Sequence, residues 1–450
     1  MALQIFGFNS IGTGLRADLT TADSVFVAVG ITVGSNDNSS ISGTGSYHTA
    51  NIQGTVVGGS NGILLGDDGS ADSNQHLIVG ENGYIGAFAN WGATLRGFDS
   101  LVENDGTIFS SFVALLIDGT NAASQSTVIN TGLIDGGLYG IFHSGSETLN
   151  VENNGTIKSG HFAYVSTNAS AIDQITNTGK MDGTLFLGGG NDVFDSRLGT
   201  LSGTVNADAG SDKLYGSALA DTFYGGDDGD TISGYAGNDK LYGDNGNDAL
   251  VGGAGADALS GGAGTDRAYY SGATTGVVVS LLTPSLNTGE AKGDTFSSIE
   301  NLTGSKYNDS LFGNAGANSI SGGAGNDIIK GYAGKDALAG GSGNDTFVFD
   351  TALSAATNVD TISDYNVAAD TIRLENAIFT KLTATGVLDA TAFVKNTTGV
   401  AADASDRIVY ETDTGKLLYD RDGNGASYAG VQFAKLAAGL AITSTDFFII

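Results

Sequence analysis

The sequence predicts an all-β solenoid: an N-terminal parallel β-helix, then a parallel β-roll, then a β-rich C-terminal region. Three observations carry this expectation. Between residues 207 and 268 an aspartate returns every ninth residue, each two places before an apolar side chain or, at the last, an alanine. Between about residues 50 and 186 a second motif centred on Asn-x-Gly returns at steps of 29, 23, 26, 23 and 24 residues. Glycine is abundant, 71 of 450 residues, and proline occurs once, so turns can be tight without interrupting a strand ladder. Neither period fits a 3.6-residue helix or a plain alternating strand, so each unit has to hold a turn as well as an extended piece.

The nine-residue unit is the clearer of the two. Its aspartates are Asp212, Asp221, Asp230, Asp239, Asp248, Asp257 and Asp266, followed two residues on by Leu214, Phe223, Ile232, Leu241, Leu250, Leu259 and Ala268. A glycine-rich hexad ends at each aspartate, best seen in Gly234-Tyr235-Ala236-Gly237-Asn238-Asp239 and Gly252-Gly253-Ala254-Gly255-Ala256-Asp257, so the unit reads GGxGxDxUx with U apolar. The glycines allow positive φ and let backbone carbonyls converge, and xUx is long enough for one short strand with a single inward side chain. Two units then close a coil of eighteen residues. Stacked coils place the apolar residues in a buried column and the aspartates in two rows along the edges.

Those rows need a cation. Carboxylates stacked at the strand spacing of about 4.8 Å repel by roughly 1 kcal/mol in water and several times that where water is partly excluded. Carboxylate and backbone carbonyl oxygens at six or more positions form the ligand set of Ca²⁺ rather than of Zn²⁺ or Mg²⁺. The unit resembles the nonapeptide of the RTX family of secreted calcium-binding repeat proteins. That resemblance implies a parallel β-roll with several Ca²⁺ ions held between turns on one edge by the sixth-position aspartates and loop carbonyls. Two units depart from the pattern. Asp228 replaces the fourth-position glycine before Asp230, and Gly216-Ser217-Ala218-Leu219-Ala220 keeps only its first glycine before Asp221.

In chain order, residues 1–50 are read as an N-terminal cap, because the first rung of a solenoid would otherwise expose its apolar edge. One strand is expected there, Ser24 to Val33, in which Val25, Val27, Val29, Ile31 and Val33 alternate with Phe26, Ala28, Gly30 and Thr32. Residues 51–186 are the β-helix, with copies at Val102-Glu103-Asn104-Asp105-Gly106-Thr107-Ile108, Val128-Ile129-Asn130-Thr131-Gly132-Leu133-Ile134, Val151-Glu152-Asn153-Asn154-Gly155-Thr156-Ile157 and Ile175-Thr176-Asn177-Thr178-Gly179-Lys180-Met181. The spacing is about one three-sided coil, and its asparagines can stack as a ladder. These words resemble the rungs of bacterial surface and autotransporter-like β-helices. Residues 187–268 hold the first nonapeptide array, opened by Gly188-Gly189-Gly190-Asn191-Asp192-Val193-Phe194, which adds Asp192 to the expected ligands. Residues 269–305 are a strand-bearing insert. The array resumes over 306–349 with Asp309, Asn318, Asp327, Asp336 and Asp345, where Asn318 keeps an oxygen ligand and loses a charge. Residues 350–450 form a C-terminal cap that resembles the uncleaved export region of type I secretion substrates.

Composition narrows the function. Lys plus Arg number 19 against 49 Asp plus Glu, a net charge of −30, which disfavours nucleic acid and anionic membrane surfaces. There is no cysteine, hence no disulfide or cysteine nucleophile, and no apolar run approaches the 18 or so residues of a membrane helix. The N-terminal residues lack the basic and apolar regions of a cleaved signal. Gly58-Gly59-Ser60-Asn61-Gly62 spells a nucleophile elbow without a following helix, and the four histidines (His48, His76, His143, His161) are scattered. Asp420-Arg421-Asp422-Gly423-Asn424-Gly425 opens like an EF-hand loop but carries Val431 at its twelfth place, so a hairpin turn and a further calcium site both remain open.

The expectation is therefore a secreted, calcium-binding structural or adhesive protein of the cell surface or extracellular matrix, with no catalytic residues. It would pass a type I secretion apparatus unfolded, fold on Ca²⁺ outside, and assemble with itself or bind surface polysaccharide in a biofilm or surface-layer-like structure. The alternative is an extracellular polysaccharide lyase or epimerase, since β-helices joined to RTX arrays also occur there. Residues 50–186, however, show no clustered Asp, His, Arg and Lys set for that chemistry.

Overall fold

A computed structural model describes residues 2–20, 23–67 and 72–450. The chain divides into two compact units, residues 1–248 and 249–450.

In the first unit, parallel strands stack residue on residue. One core column runs Val25, Ala50, Leu77, Val102, Val128, Val151, Ile175, Phe194, Leu214 and Ile232, each paired with the next in register. All ten are buried to within about a percent. The helix therefore passes into the roll through one continuous ladder. The coil shortens on the way, from 23 residues between Val128 and Val151 to 18 between Leu214 and Ile232. Thr156–Ser166 runs as a single eleven-residue strand with register shifts between Lys158 and Tyr164, and its neighbour Lys180–Phe186 pairs onward with two separate strands, Thr200–Ser202 and Val205–Asn206.

The expected asparagine ladder is present. Asn104, Asn130, Asn153 and Asn177 are buried, and each Nδ2 donates to the next Oδ1 at 2.7 Å. A buried amide left unpaired would cost about 1–3 kcal/mol, so the ladder fixes coil register as well as holding it. The glycine two residues after each asparagine is required by contact: a Cβ on Gly155 would lie 2.2 Å from the Gly132 carbonyl oxygen.

The first fifty residues do not lie across the end as a separate layer. Leu3–Phe6, Ser10–Gly12 and Ala17–Leu19 pair in parallel with Ser24–Val27, Thr32–Ser35 and Ile41–Gly43, so this segment forms rungs of the same ladder. The strand expected from Ser24 to Val33 is two strands. The chain turns at Gly30, φ 76°, which leaves Val29 exposed while Val25, Val27 and Val33 are buried. Alternation of apolar residues runs through this corner, and that is why the pattern hides it.

In the second unit, one column joins Leu250, Ala268, Leu302, Ile320, Leu338 and Ile362, and a second joins Val279, Leu311, Ile329, Phe347, Ile372 and Phe447. The insert is partly rung: Thr295–Ser297 pairs with Ala258–Ser260, and Asn301–Thr303 with Arg267–Tyr269. Within residues 270–293, Val278–Ser280 pairs in parallel with Ser310–Phe312, and two short 3₁₀ turns, Pro284–Leu286 and Gly289–Ala291, lie between the strands. The segment read as an export region supplies ladder strands, with Phe447–Ile449 parallel to Thr371–Leu374 and antiparallel to Gly386–Val387.

Candidate calcium sites

The nonapeptide places its aspartate at the mouth of each turn, where the turn exposes backbone donors to it. Along each row a carboxylate accepts the N–H of the aspartate one coil earlier, except at Asp221, whose Oδ2 accepts from Ser217 N and Oγ, and at Asp309. In the first unit Asp212 donates to Asp230 and Asp230 to Asp248, both at 2.8 Å, while Asp221 donates to Asp239 on the opposite edge. Asp192 extends the first row by donating to Asp212 at 2.7 Å. In the second unit Asp309, Asp327 and Asp345 form one row and Asn318 and Asp336 the other. Asp257 and Asp266 stand in the same arrangement, donating to Asp294 and Glu300.

One oxygen of each carboxylate is thus used, and the second is the informative one. Oδ2 of Asp192, Asp212, Asp230, Asp327 and Asp345, and Oδ1 of Asp221, are buried with no hydrogen-bond partner. Burial, reinforced by neighbouring carboxylates, pushes Asp192 and Asp230 up to about 8 and Asp212 and Asp327 up to about 7. These groups resist ionisation unless positive charge is supplied.

The glycines hold open the space that charge would fill. A Cβ on Gly225 would lie 2.1 Å from Asp230 Oδ2 and 2.8 Å from the Gly243 carbonyl oxygen; on Gly322 the distances to Asp327 Oδ2 and the Gly340 oxygen would be 2.3 and 2.5 Å. A carboxylate oxygen and a carbonyl of the next coil therefore line one small oxygen-only space, the donor chemistry of Ca²⁺. Among the described residues no three acidic or histidine side chains form a metal cage by themselves, so main-chain oxygens must complete the sites. Where Tyr235, Asp244 or Tyr332 stands at the second glycine place the backbone still adopts φ near 70°, at a cost of roughly 1–2 kcal/mol each.

The row members are not equivalent. Asp309 is satisfied by protein donors, accepting from Val277 N at 2.8 Å, Ser305 N at 2.5 Å and Ser305 Oγ at 2.9 Å. Asn318 is likewise satisfied, its Oδ1 accepting from Asn314 N and its Nδ2 donating to the Glu300 carbonyl at 2.7 Å. Both sit in the rows without an orphaned oxygen. The EF-hand-like loop closes on itself, with Asp420 Oδ1 accepting from Asp422 N and Asp422 Oδ2 from Ser427 N.

The rows also reach further than the repeat spelling. Asp173 donates to Asp192 at 2.7 Å, Asp336 to Asp360 at 3.2 Å and Asp345 to Asp370 at 3.0 Å, while Asp294 and Glu300 continue the rows inside the insert. Each is followed two places on by Ile175, Ile362, Ile372, Phe296 or Leu302. The acid-x-apolar ending was the available signal, and the missing glycine hexad concealed it.

The family model described as RTX calcium-binding nonapeptide repeat (4 copies) matches residues 202–232, 215–250, 242–272, 294–329 and 312–347. No curated protein matches the sequence. Among solved structures, the extracellular lipase LipA from Serratia marcescens is similar over 62% of this chain and 45% of that chain, with 16% identity and a TM-score of 0.19. The matched region spans less than half of that lipase. Residues 202–272 and 294–347 are RTX calcium-binding nonapeptide repeats, set in an all-β solenoid, and Ca²⁺ is the ion they bind.

Proposed function

We propose that the protein is a secreted structural or adhesive element whose roll folds when calcium becomes available outside the cell. The observation that carries this reading is the row of buried, unpartnered carboxylate oxygens at Asp192, Asp212, Asp230, Asp327 and Asp345. Where calcium is scarce, these groups oppose stacking and keep the repeats extended, a form suited to passage through a type I secretion apparatus. At millimolar calcium, within the range of weak extracellular sites, binding adds to folding free energy and the coils close.

The β-helix would then present the effector surface. Its outer face carries aromatic rings in consecutive rungs: Phe112 against Tyr139 at 5.8 Å, Tyr139 stacked on Phe162 at 5.4 Å, and Phe162 beside Phe186 at 5.7 Å. Beside them a groove of about 400 Å³ is lined by Trp91, Arg96, Phe112, Asp118, Tyr139 and Phe142. Flat rings flanked by an Arg and an Asp suit surface polysaccharide, whose sugars offer apolar faces and hydroxyl edges. Light scattering and glycan binding measured during calcium titration of the purified chain test the reading. Calcium-dependent assembly or glycan retention supports it; turnover of alginate or pectate to unsaturated product would replace it with the polysaccharide-lyase alternative.

A further inference from the structure

Residues 3–19 make a rung with a neighbour on one side only. Among the described residues, Leu3–Phe6, Ser10–Gly12 and Ala17–Leu19 pair with Ser24–Val27, Thr32–Ser35 and Ile41–Gly43 and with no other strand. The bonds into the ladder come from alternate residues. The carbonyls of Ala2, Phe6 and Gly12 accept from Ser24, Ala28 and Asn36, while Ala17 N donates to the Ser40 carbonyl and the Leu19 carbonyl accepts from Thr44. Backbone groups alternate in direction along a strand, so Leu3, Ile5, Ile11 and Asp18 turn their N–H and C=O away from the adjoining coil, along the free rim.

Two further features single this rung out. The net charge of the chain is −30, yet residues 2–20 carry one base, Arg16, and one acid, Asp18. Leu3, Ile5, Phe8 and Ile11 are each 60–74% exposed, and Leu15 is 36% exposed. The interior of the rung is already closed: Gln4, in line with buried Val25, donates from Nε2 to the Asp18 carbonyl at 3.0 Å, and Ala17 and Leu19 are buried. What stays open is the rim, a neutral and apolar edge of three short strands, and open edges recruit further strands.

We propose that this rim binds a second copy of the same chain, head to head about a two-fold axis. An extended peptide could pair with one side of the coil. Pairing on all three sides at once needs a coil of the same cross-section, and the chain itself supplies one. Geometry fixes the axis. A coil climbs as it turns, so only a two-fold axis through the middle strand, Ser10–Gly12, keeps the gap equal on all three sides. Ser10–Gly12 then runs antiparallel to its own copy, Ile11 exchanges both backbone bonds with the second copy's Ile11, and Leu3–Phe6 lies against the second copy's Ala17–Leu19. The corners match as well, since Phe8, between the first two strands, meets the second copy's Leu15, between the last two. Such a contact closes at two chains. It belongs to the β-helix and stands apart from the calcium-driven closure of the roll.

The chain has no cysteine of its own, so a single introduced thiol reports the contact. In the folded, calcium-loaded chain, oxidised I11C should form a covalent dimer, because the Cα atoms of a hydrogen-bonded antiparallel pair stand about 5.5 Å apart, within reach of a disulfide. L198C, at a side chain 82% exposed on a distant coil, should form none beyond collisional background. In sedimentation equilibrium the native chain should reach twice its monomer mass. I11P removes the outward N–H and keeps the ladder bond of Gly12, and it should weaken the dimer roughly tenfold or more without altering circular dichroism. Should I11P lose β structure, I11K, at a side chain that already faces solvent, takes its place with the same expectation. Absence of an I11C dimer above the L198C background, or variant dimers as tight as the native one, would overturn the proposal.

Discussion

Replacing Asp230 by asparagine should change stability in opposite directions with and without calcium. Asp230 lies between Asp212, whose N–H it accepts, and Asp248, to which it donates, and it is 2% exposed. Its carboxyl is pushed from 3.8 to about 8 by burial, with the neighbouring carboxylates adding to the shift. Four or so units at roughly 1.4 kcal/mol each set an upper bound of about 5 kcal/mol against the ionised, metal-free fold at pH 7.5. Screening at the edge of the roll reduces the expected gain on neutralisation to about 2 kcal/mol. Asparagine keeps the acceptor oxygen, and Asn318 shows its amide accommodated in the same kind of row. In excess chelator, D230N should therefore melt about 4–8 °C above the native chain. In calcium the lost ligand charge should raise the calcium midpoint roughly tenfold, about 1.4 kcal/mol. Thermal melts followed by circular dichroism under both conditions read the two signs. Equal destabilisation in chelator and calcium would refute the reasoning, because it would make Asp230 a structural hydrogen-bond acceptor and nothing more.

In chelator, acid should partly substitute for calcium. Asp192, Asp212 and Asp230 have folded-state pKa values raised to about 8, 7 and 8, so the folded chain binds more protons than the unfolded one between pH 4 and 8. Their contribution to stability is complete below about pH 4 and is lost as pH rises through 7 to 8. Urea midpoints in chelator should accordingly rise from pH 8 to pH 5, and a flat or falling profile would contradict the shifts. G225A should abolish calcium binding at its turn, since the new Cβ would meet Asp230 Oδ2 at 2.1 Å, whereas G316A, whose nearest neighbour is Asn314 Oδ1 at 3.2 Å, should bind as the native chain does in calorimetric titration. N130A removes an amide that both donates and accepts in the ladder and should cost about 2–4 kcal/mol whether or not calcium is present. A calcium-dependent cost in urea unfolding would tie the ladder to the roll instead.

The roll was legible because its residues are demanded twice, glycine by the positive φ and close carbonyls of the turn, aspartate by the row. Asn104, Asn130, Asn153 and Asn177 were legible for the same reason, as a buried amide tolerates few substitutes. The first fifty residues were not, because their turns, at Gly14, Gly30 and Gly45 among the described residues, follow no repeated spelling, so the apolar pattern shows strand without showing where it turns. Asp173, Asp294, Glu300, Asp360 and Asp370 carry no repeat spelling because their loops lack the glycine hexad, while the ladder still delivers them to the rows.

The central claim, that the carboxylate rows stack only with positive charge between them, is met most directly by hydrogen exchange of the native chain at pH 7.5, in chelator and in calcium. Peptides from 207–268 and 306–349 should exchange rapidly in chelator and become protected in calcium, while peptides from 102–157 stay protected in both. Equal protection of the nonapeptide peptides under the two conditions would contradict it.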